Sequence, residues 1–256
     1  MAGRDRLIHP TAIMPRSFYG VTDLTPIQAA IDGIAEVMTE PRGLFVGDNL
    51  ITLSKRLAFL DDRVLMEAFM RNAETVAERG ALWRIATLVW AARSALRVEG
   101  DFVECGCYKG NSARIISEVV GFADLPRHYY LYDLFQHDES MPHHSMMEHS
   151  ETLVDRVRAR FSDMSNVTIT QGRVPDSLAV AAPEKIAFMH LDLNNAAAEI
   201  GALEVLFDRI SPGGILILDD FGWLAYQDQL VAEMQWMAER GYRILEMPTG
   251  QGLVIK

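Results

Sequence analysis

The chain has 256 residues, 49% hydrophobic and 23% charged, enough apolar side chain for a full core, which excludes a mainly disordered protein. Twenty-four Lys and Arg against 35 Asp and Glu leave a net charge of -11, a balance that repels nucleic-acid phosphates and anionic lipid headgroups, so neither partner is expected. The most apolar window, Ala81 to Val98, is interrupted by Arg84, Arg93 and Arg97, and no unbroken apolar stretch follows the basic residues of MAGRDRLIHPTA.

Neither a bilayer span nor a secretory signal is therefore expected. With Cys105 and Cys107 as the only cysteines there is no disulfide framework, and a reducing, cytoplasmic setting fits. The first hundred residues read as helices. Thr25-Pro26 is an N-cap and first-turn signal, and Ile27, Ala30, Ile31, Ile34, Val37 and Met38 repeat at helical spacing until Pro41. A second helical pattern runs from about Arg63 to Arg79, closed by Gly80, and a third from Leu82 to about Arg97. No strand is expected here, and residues 1–99 are taken as a helical extension. Trp83 and Trp90, seven apart, suit a core or a subunit interface.

From Gly100 the texture changes to short β-rich runs alternating with amphipathic helices, the pattern of a parallel sheet covered on both faces. Strands are expected at Phe102–Cys105, Tyr129–Tyr132, Val167–Thr170, Ile186–Leu191 and Ile215–Leu218. Helices are expected at about Ser112–Val120, Glu151–Phe161, Ala196–Ile210 and Tyr226–Arg240, the third ending at Ser211-Pro212-Gly213-Gly214. Two final runs, Tyr242–Met247 and Leu253–Lys256, are joined by so short a link that they must form an antiparallel pair. Residues 100–256 are thus expected to be a doubly wound α/β core.

The first strand of that core leads into Glu104-Cys105-Gly106-Cys107-Tyr108-Lys109-Gly110-Asn111-Ser112, a strand-turn-helix whose two glycines let a backbone approach a nucleotide-like cofactor. A dinucleotide turn wants G-x-G-x-x-G, whereas here the glycines are four apart and a carboxylate precedes them. Glu104 would repel a pyrophosphate but attract the ammonium and sulfonium of S-adenosylmethionine. Asp133, ending the next strand, is placed to accept hydrogen bonds from both ribose hydroxyls. The candidate cofactor residues are therefore Glu104, Gly106, Tyr108, Gly110, Asn111, Ser112 and Asp133. Gly106 and Gly110 have a second reading, plain helix–strand packing. Cys105 and Cys107 are assigned no chemistry.

The fourth strand ends His190-Leu191-Asp192-Leu193-Asn194 and the fifth Leu218-Asp219-Asp220. Ligands of open parallel sheets sit beyond the carboxyl ends of the strands where strand order reverses, here between the first and fourth strands of the core. If the fourth and fifth are neighbours, Asp192, Asp219 and Asp220 converge, and three carboxylates repel unless a cation binds or some are protonated. Mg2+ suits oxygen ligands and lowers the pKa of a bound hydroxyl, which points to an alcohol or phenol substrate. Asp219 and Asp220 have the alternative of facing solvent or capping a helix. His190 reads either as a hydrogen-bonded strand-end histidine or, with Asp192, as part of an iron triad. The polar loop His137 to His149, with four histidines, reads as a lid or substrate wall, or as a solvated loop.

These residues resemble the class I S-adenosylmethionine-dependent methyltransferases, and more narrowly the macrocin O-methyltransferase family of sugar O-methyltransferases. The likeness rests on Gly100-Asp101-Phe102-Val103-Glu104-Cys105-Gly106 with Tyr108-Lys109-Gly110, on Tyr132-Asp133, on His190-Leu191-Asp192, and on Ser211-Pro212-Gly213-Gly214 leading to Asp219-Asp220-Phe221-Gly222. It implies a Rossmann-like methyltransferase fold, seven-stranded and mainly parallel with an antiparallel C-terminal strand, and cofactor contacts at Glu104, Gly106 and Asp133. It further implies Mg2+ held by Asp192, Asp219 and Asp220, with Asp192 as general base on a hydroxyl of a small natural product. The N-terminal helices would close over the site or pair subunits of a homo-oligomer. Asn194 stands where the family pattern has a second acid. The alternatives are an S-adenosylmethionine-binding protein without turnover, or a metal-dependent oxygenase or hydrolase built on His190 and Asp192.

Overall fold

The computed structural model describes residues 18–40, 43–137 and 146–256, and these form two compact units that divide after Thr87. No helix among the described residues is long and apolar enough to cross a membrane.

In the first unit, α1 (Thr25–Val37) has Pro26 in its first turn, as expected, but Thr25 is not its N-cap. The Thr25 N–H instead donates to Asp23 Oδ1 at 2.9 Å, and that bond holds the exposed Asp23 carboxyl below its usual range. Pro41 lies outside the described residues. Ile31 of α1 is buried with Leu44 and Val46, two residues of a strand the sequence reading did not anticipate. That strand, β1 (Leu44–Gly47), pairs antiparallel with β2 (Leu50–Leu53), so the expectation of an all-helical segment is corrected. The cause is the two-residue turn Asp48-Asn49, both at positive φ (51° and 59°), a conformation that matches the twist of a hairpin and that Asp and Asn tolerate. Asp48 is buried against Arg84 Nε at 3.1 Å.

The helix expected from Arg63 to Arg79 is two helices, α2 (Arg63–Asn72) and α3 (Val76–Gly80). Thr75 and Glu78 form a capping box that restarts the chain, a T-x-x-E signal present in the sequence. α4 (Leu82–Ala95) follows. Trp83 packs edge-on to Phe45 with ring centroids 5.7 Å apart, whereas Trp90 is 52% exposed and so is no core residue of this chain.

The second unit is a seven-stranded sheet. Its strands are β3 (Asp101–Cys105), β4 (Tyr129–Asp133), β5 (Val167–Gln171), β6 (Ile186–Leu191), β7 (Ile210–Leu218), β8 (Leu245–Glu246) and β9 (Gly252–Ile255). The order is β5-β4-β3-β6-β7-β9-β8, parallel from β5 to β7, with β9 antiparallel to both its neighbours. Strand order reverses between β3 and β6, as expected of a doubly wound sheet. The helices between are α5 (Asn111–Val120), α6 (Leu153–Arg160), α7 (Ala196–Leu206) and α8 (Gln227–Glu239). α7 stops earlier than expected. A single 3-10 turn takes Phe207–Arg209, and Ser211 to Gly214 belong to β7 rather than to a helix terminator. Phe207 packs edge-on to Trp236 and to Tyr242 beneath this end, with ring centroids 5.1 and 5.0 Å away.

Every residue of β6 is buried, the mark of a central strand covered on both faces, and β6 therefore fixes the level of everything at its carboxyl end. At the opposite end of the sheet, Arg127 donates to the carbonyls of Leu96 and Gly100 at 2.9 Å and of Ala95 at 3.4 Å, satisfying the orphan groups beyond α4. Arg127→Ala is expected to cost about 1–3 kcal/mol of stability, read as a lower denaturation midpoint at unchanged slope.

Candidate active site

The turn after β3 is bent by three positive-φ residues, Gly106 (91°), Tyr108 (46°) and Gly110 (72°). Its glycines meet protein. A Cβ on Gly106 would lie 1.7 Å from the Asp192 carbonyl oxygen, and one on Gly110 would lie 2.8 Å from the Phe161 ring. Both are thus required where the turn packs against the end of β6 and against the residue following α6, which supplies the packing reading of these glycines. The Gly106 N–H donates to the Tyr132 carbonyl at 2.7 Å.

Asp133 pins the turn. Its Oδ2 accepts the Tyr108 N–H at 2.7 Å and its Oδ1 the Phe135 N–H at 2.6 Å. The Tyr108 hydroxyl accepts the Glu148 N–H at 2.8 Å, so the described end of the following loop is fastened to the turn. His137 and His149 stack at 6.1 Å, and residues 138–145 of that loop, with His143 and His144, lie outside the described residues. At the start of α5, Ser112 Oγ donates to Glu104 Oε1 at 2.5 Å. Neither polar atom of the Asn111 side chain meets water or a hydrogen-bond partner among the described residues. A shielded amide with nothing to bond calls for a polar ligand, so the turn fits a cofactor at that point.

Glu104 differs from the acid expected to front a ligand. Its carboxylate is wholly buried, held by Ser112, by the Tyr129 hydroxyl at 3.3 Å and by His190 Nδ1 at 3.0 Å. Strand register explains this, because Glu104 on β3 stands beside His190 on β6. His190 Nε2 in turn lies 3.3 Å from Asp219 Oδ1, which also accepts from Gln251 Nε2 at 2.8 Å. Thr249 Oγ1 donates to Gln251 Oε1 at 2.9 Å. Burial alone would lower the His190 pKa, but hydrogen bonds and charge from Asp219 and Glu104 raise it well above the usual imidazole range. His190 is therefore held between two carboxylates, with a ring nitrogen on each. With both nitrogens so engaged, it is a poor ligand for an iron triad.

Asp192 and Asp219 leave adjacent strands at one level, their N–H groups bonded to Cys105 O at 2.8 Å and Leu191 O at 2.9 Å. One donor atom each from His190, Asp192 and Asp219 lie within 4.8 Å of one another. Asp220, expected as the third oxygen ligand, is not in this set, and its carbonyl accepts the Trp223 N–H in the turn after β7. The oxygens of Asp192 and Asp219 suit a hard divalent cation. Asp192 is half-buried, and the Asn194 side chain lies 3.4 Å from its Oδ1. Cys105 and Cys107 are free and buried, and burial pushes both thiols up, which leaves them unreactive.

Three of the buried polar residues near this site have no place in the sequence-based expectation. Gln251 gives no signal in a Gly-rich turn. Glu199 does, because it shares a helical face with Ala202, Leu203 and Leu206, and Glu233 does, between Gln229 and Trp236-Met237.

Residues 84–241 match the family model described as Macrocin-O-methyltransferase (TylF). The chain is 29% identical over 189 residues to the 8-demethyl-8-(2,3-dimethoxy-alpha-L-rhamnosyl)-tetracenomycin-C 4'-O-methyltransferase of Streptomyces olivaceus, covering 66% of this chain and 70% of the relative. Among solved structures it resembles the O-methyltransferase NovP, with a TM-score of 0.60 at 18% identity over 74% of this chain and 87% of that one. It also resembles CalS11, described as a TDP-rhamnose 3'-O-methyltransferase of calicheamicin biosynthesis, with a TM-score of 0.57 at 14% identity over 92% and 96%. At such identities the structural likeness establishes the fold.

Proposed function

Because the chain belongs to the macrocin-O-methyltransferase (TylF) family and is an S-adenosylmethionine-dependent O-methyltransferase, we propose that it methylates a sugar hydroxyl of a natural-product glycoside. In this reading Asp192 is the general base, and Asp192 and Asp219 would hold a Mg2+ ion. The observation that carries it is the pairing of Asp192 with Asp219 at the carboxyl ends of β6 and β7, beside the turn that Gly106 opens.

When bound, S-adenosylmethionine supplies an electrophilic methyl group and Mg2+ acidifies the acceptor hydroxyl. The chain's own residues do the rest. Asp133, fixed by the Tyr108 and Phe135 amides, accepts the ribose hydroxyls with its remaining lone pairs. The backbone of Gly106, Tyr108 and Gly110 shapes the cofactor wall, and Asn111 and Ser112 add polar contacts at the head of α5. Glu104 works from beneath the turn, where its fixed charge favours a cationic donor and its hydrogen bonds hold Ser112 in place. Asp192 would take the acceptor proton as the methyl group leaves the sulfonium sulfur for the hydroxyl oxygen, with S-adenosylhomocysteine as leaving group, and its half-buried position keeps it reachable. A neutral glycoside fits better than a polyanion, since Asp192, Asp219 and Asp220 all present negative charge and the chain carries -11 overall.

Methyl-labelled S-adenosylmethionine offered with rhamnosyl glycosides is expected to label a sugar hydroxyl. Absence of transfer to any sugar, with transfer to phenols instead, would overturn the acceptor class. Chelation of divalent metal is expected to lower kcat at least about tenfold, with recovery on adding Mg2+, while S-adenosylhomocysteine binding by calorimetry stays intact. Full activity in chelator would remove the metal from the mechanism.

A further inference from the structure

Glu199 on α7 and Glu233 on α8 are wholly buried carboxyls on otherwise apolar helix faces. Glu199 Oε1 accepts two hydrogen bonds, from the Leu193 N–H at 3.1 Å and from Gln229 Nε2 at 3.0 Å. Among the described residues, no hydrogen-bond partner reaches Glu199 Oε2 or either oxygen of Glu233, which stands one turn beyond Gln229 on α8. Two ionised carboxylates buried on packed helices would repel, and a proton on either removes that repulsion. Burial raises both groups in the same direction.

What Glu199 holds is the peptide after the base. The Asp192 N–H is fixed by the Cys105 carbonyl at 2.8 Å, and the Leu193 N–H by Glu199, so the peptide planes on both sides of Asp192 are pinned. The next residue, Asn194, sits at φ 54°, and Asn195 caps α7 by accepting the Ala198 N–H at 2.9 Å. Without Glu199 the backbone between Asp192 and this strained residue loses its one side-chain acceptor at Leu193, and ψ of Asp192 is released.

We propose that Glu199 is a positioning residue that holds the Leu193 amide to aim Asp192, supported from α8 by Gln229 and by the buried Glu233 one turn further on. This rests on Asp192 being the general base. The test compares Glu199→Leu, which keeps the volume and removes the acceptor, with Glu199→Gln, which keeps an acceptor for Leu193. Glu199→Leu is expected to lower kcat about 10- to 100-fold with KM for S-adenosylmethionine changed less than about twofold. Glu199→Gln is expected to restore most of kcat, and Glu233→Leu to give a smaller loss of the same kind. A packing role would move thermal stability and leave kcat of the folded enzyme alone.

Wild-type kcat in folded Glu199→Leu, or Glu199→Gln no better than Glu199→Leu, overturns the proposal. Hydrogen exchange of the Leu193 amide in the wild-type enzyme gives a measurement independent of any variant. Slow exchange is expected, and exchange at the rate of an open loop overturns the proposal too. Asp192→Asn, assayed alongside, separates the two levels. Full activity there sinks the base assignment itself, while an inactive Asp192→Asn beside a fully active Glu199→Leu sinks only the positioning role.

Discussion

Asp192→Asn is expected to lower kcat by about 10^2- to 10^4-fold while leaving S-adenosylhomocysteine affinity within about twofold of the wild type. The substitution is nearly isosteric, and its amide can still meet Asn194, whose side chain lies 3.4 Å from Asp192 Oδ1. What it removes is the basic oxygen and one negative charge beside Asp219. The cofactor turn is untouched, since the bond from Asp192 to that region runs through its backbone N–H and the Cys105 carbonyl. Steady-state kinetics with saturating cofactor, together with calorimetric titration, separate the two effects. Activity within a few-fold of the wild type would show that another group takes the proton.

Gly106→Ala carries the largest expected stability effect. The new methyl would sit 1.7 Å from the Asp192 carbonyl oxygen, and the backbone at φ 91° is one that an L side chain rarely adopts. Relief requires the turn and the end of β6 to separate, which would also break the bonds from the Gly106 N–H to Tyr132 and from the Asp192 N–H to Cys105. Strain and overpacking together are expected to cost about 3 kcal/mol or more. Chemical denaturation measures this directly. S-adenosylhomocysteine binding should be lost in whatever fraction remains folded. A midpoint equal to that of the wild type would mean that this contact is looser than described.

Much of this arrangement is legible in the sequence. The core strands announced themselves as short β-branched or aromatic runs bounded by Gly, Pro and Asp, and their acids fell at the carboxyl ends because apolar runs end where burial ends. β1 and β2 are hard to read because four-residue runs are too short to show a period, although Asp48-Asn49 between apolar runs is a turn signal. The direction of Glu104 could not be read at all. Whether a strand-end acid faces a ligand or the interior depends on what stands beside it, and that depends on the neighbouring strand bringing His190 to the same level. Glu199 and Glu233 are readable as acids on apolar helix faces, but the Leu193 amide that Glu199 accepts is backbone and leaves no trace in residue type.

Glu104, His190, Asp219 and Gln251 come from four adjacent strands or their immediate ends and join sideways into one buried row. Apolar side chains forgive a misaligned neighbour, but this row does not. A shift of β6 by one position would offer Met189 or Leu191 to the Glu104 carboxylate and strand a charge in the interior, at a cost of about 3–5 kcal/mol. The same four groups that frame the chemistry thereby act as a proofreading mark, separating a correctly assembled molecule from one that has zipped up a step out of place.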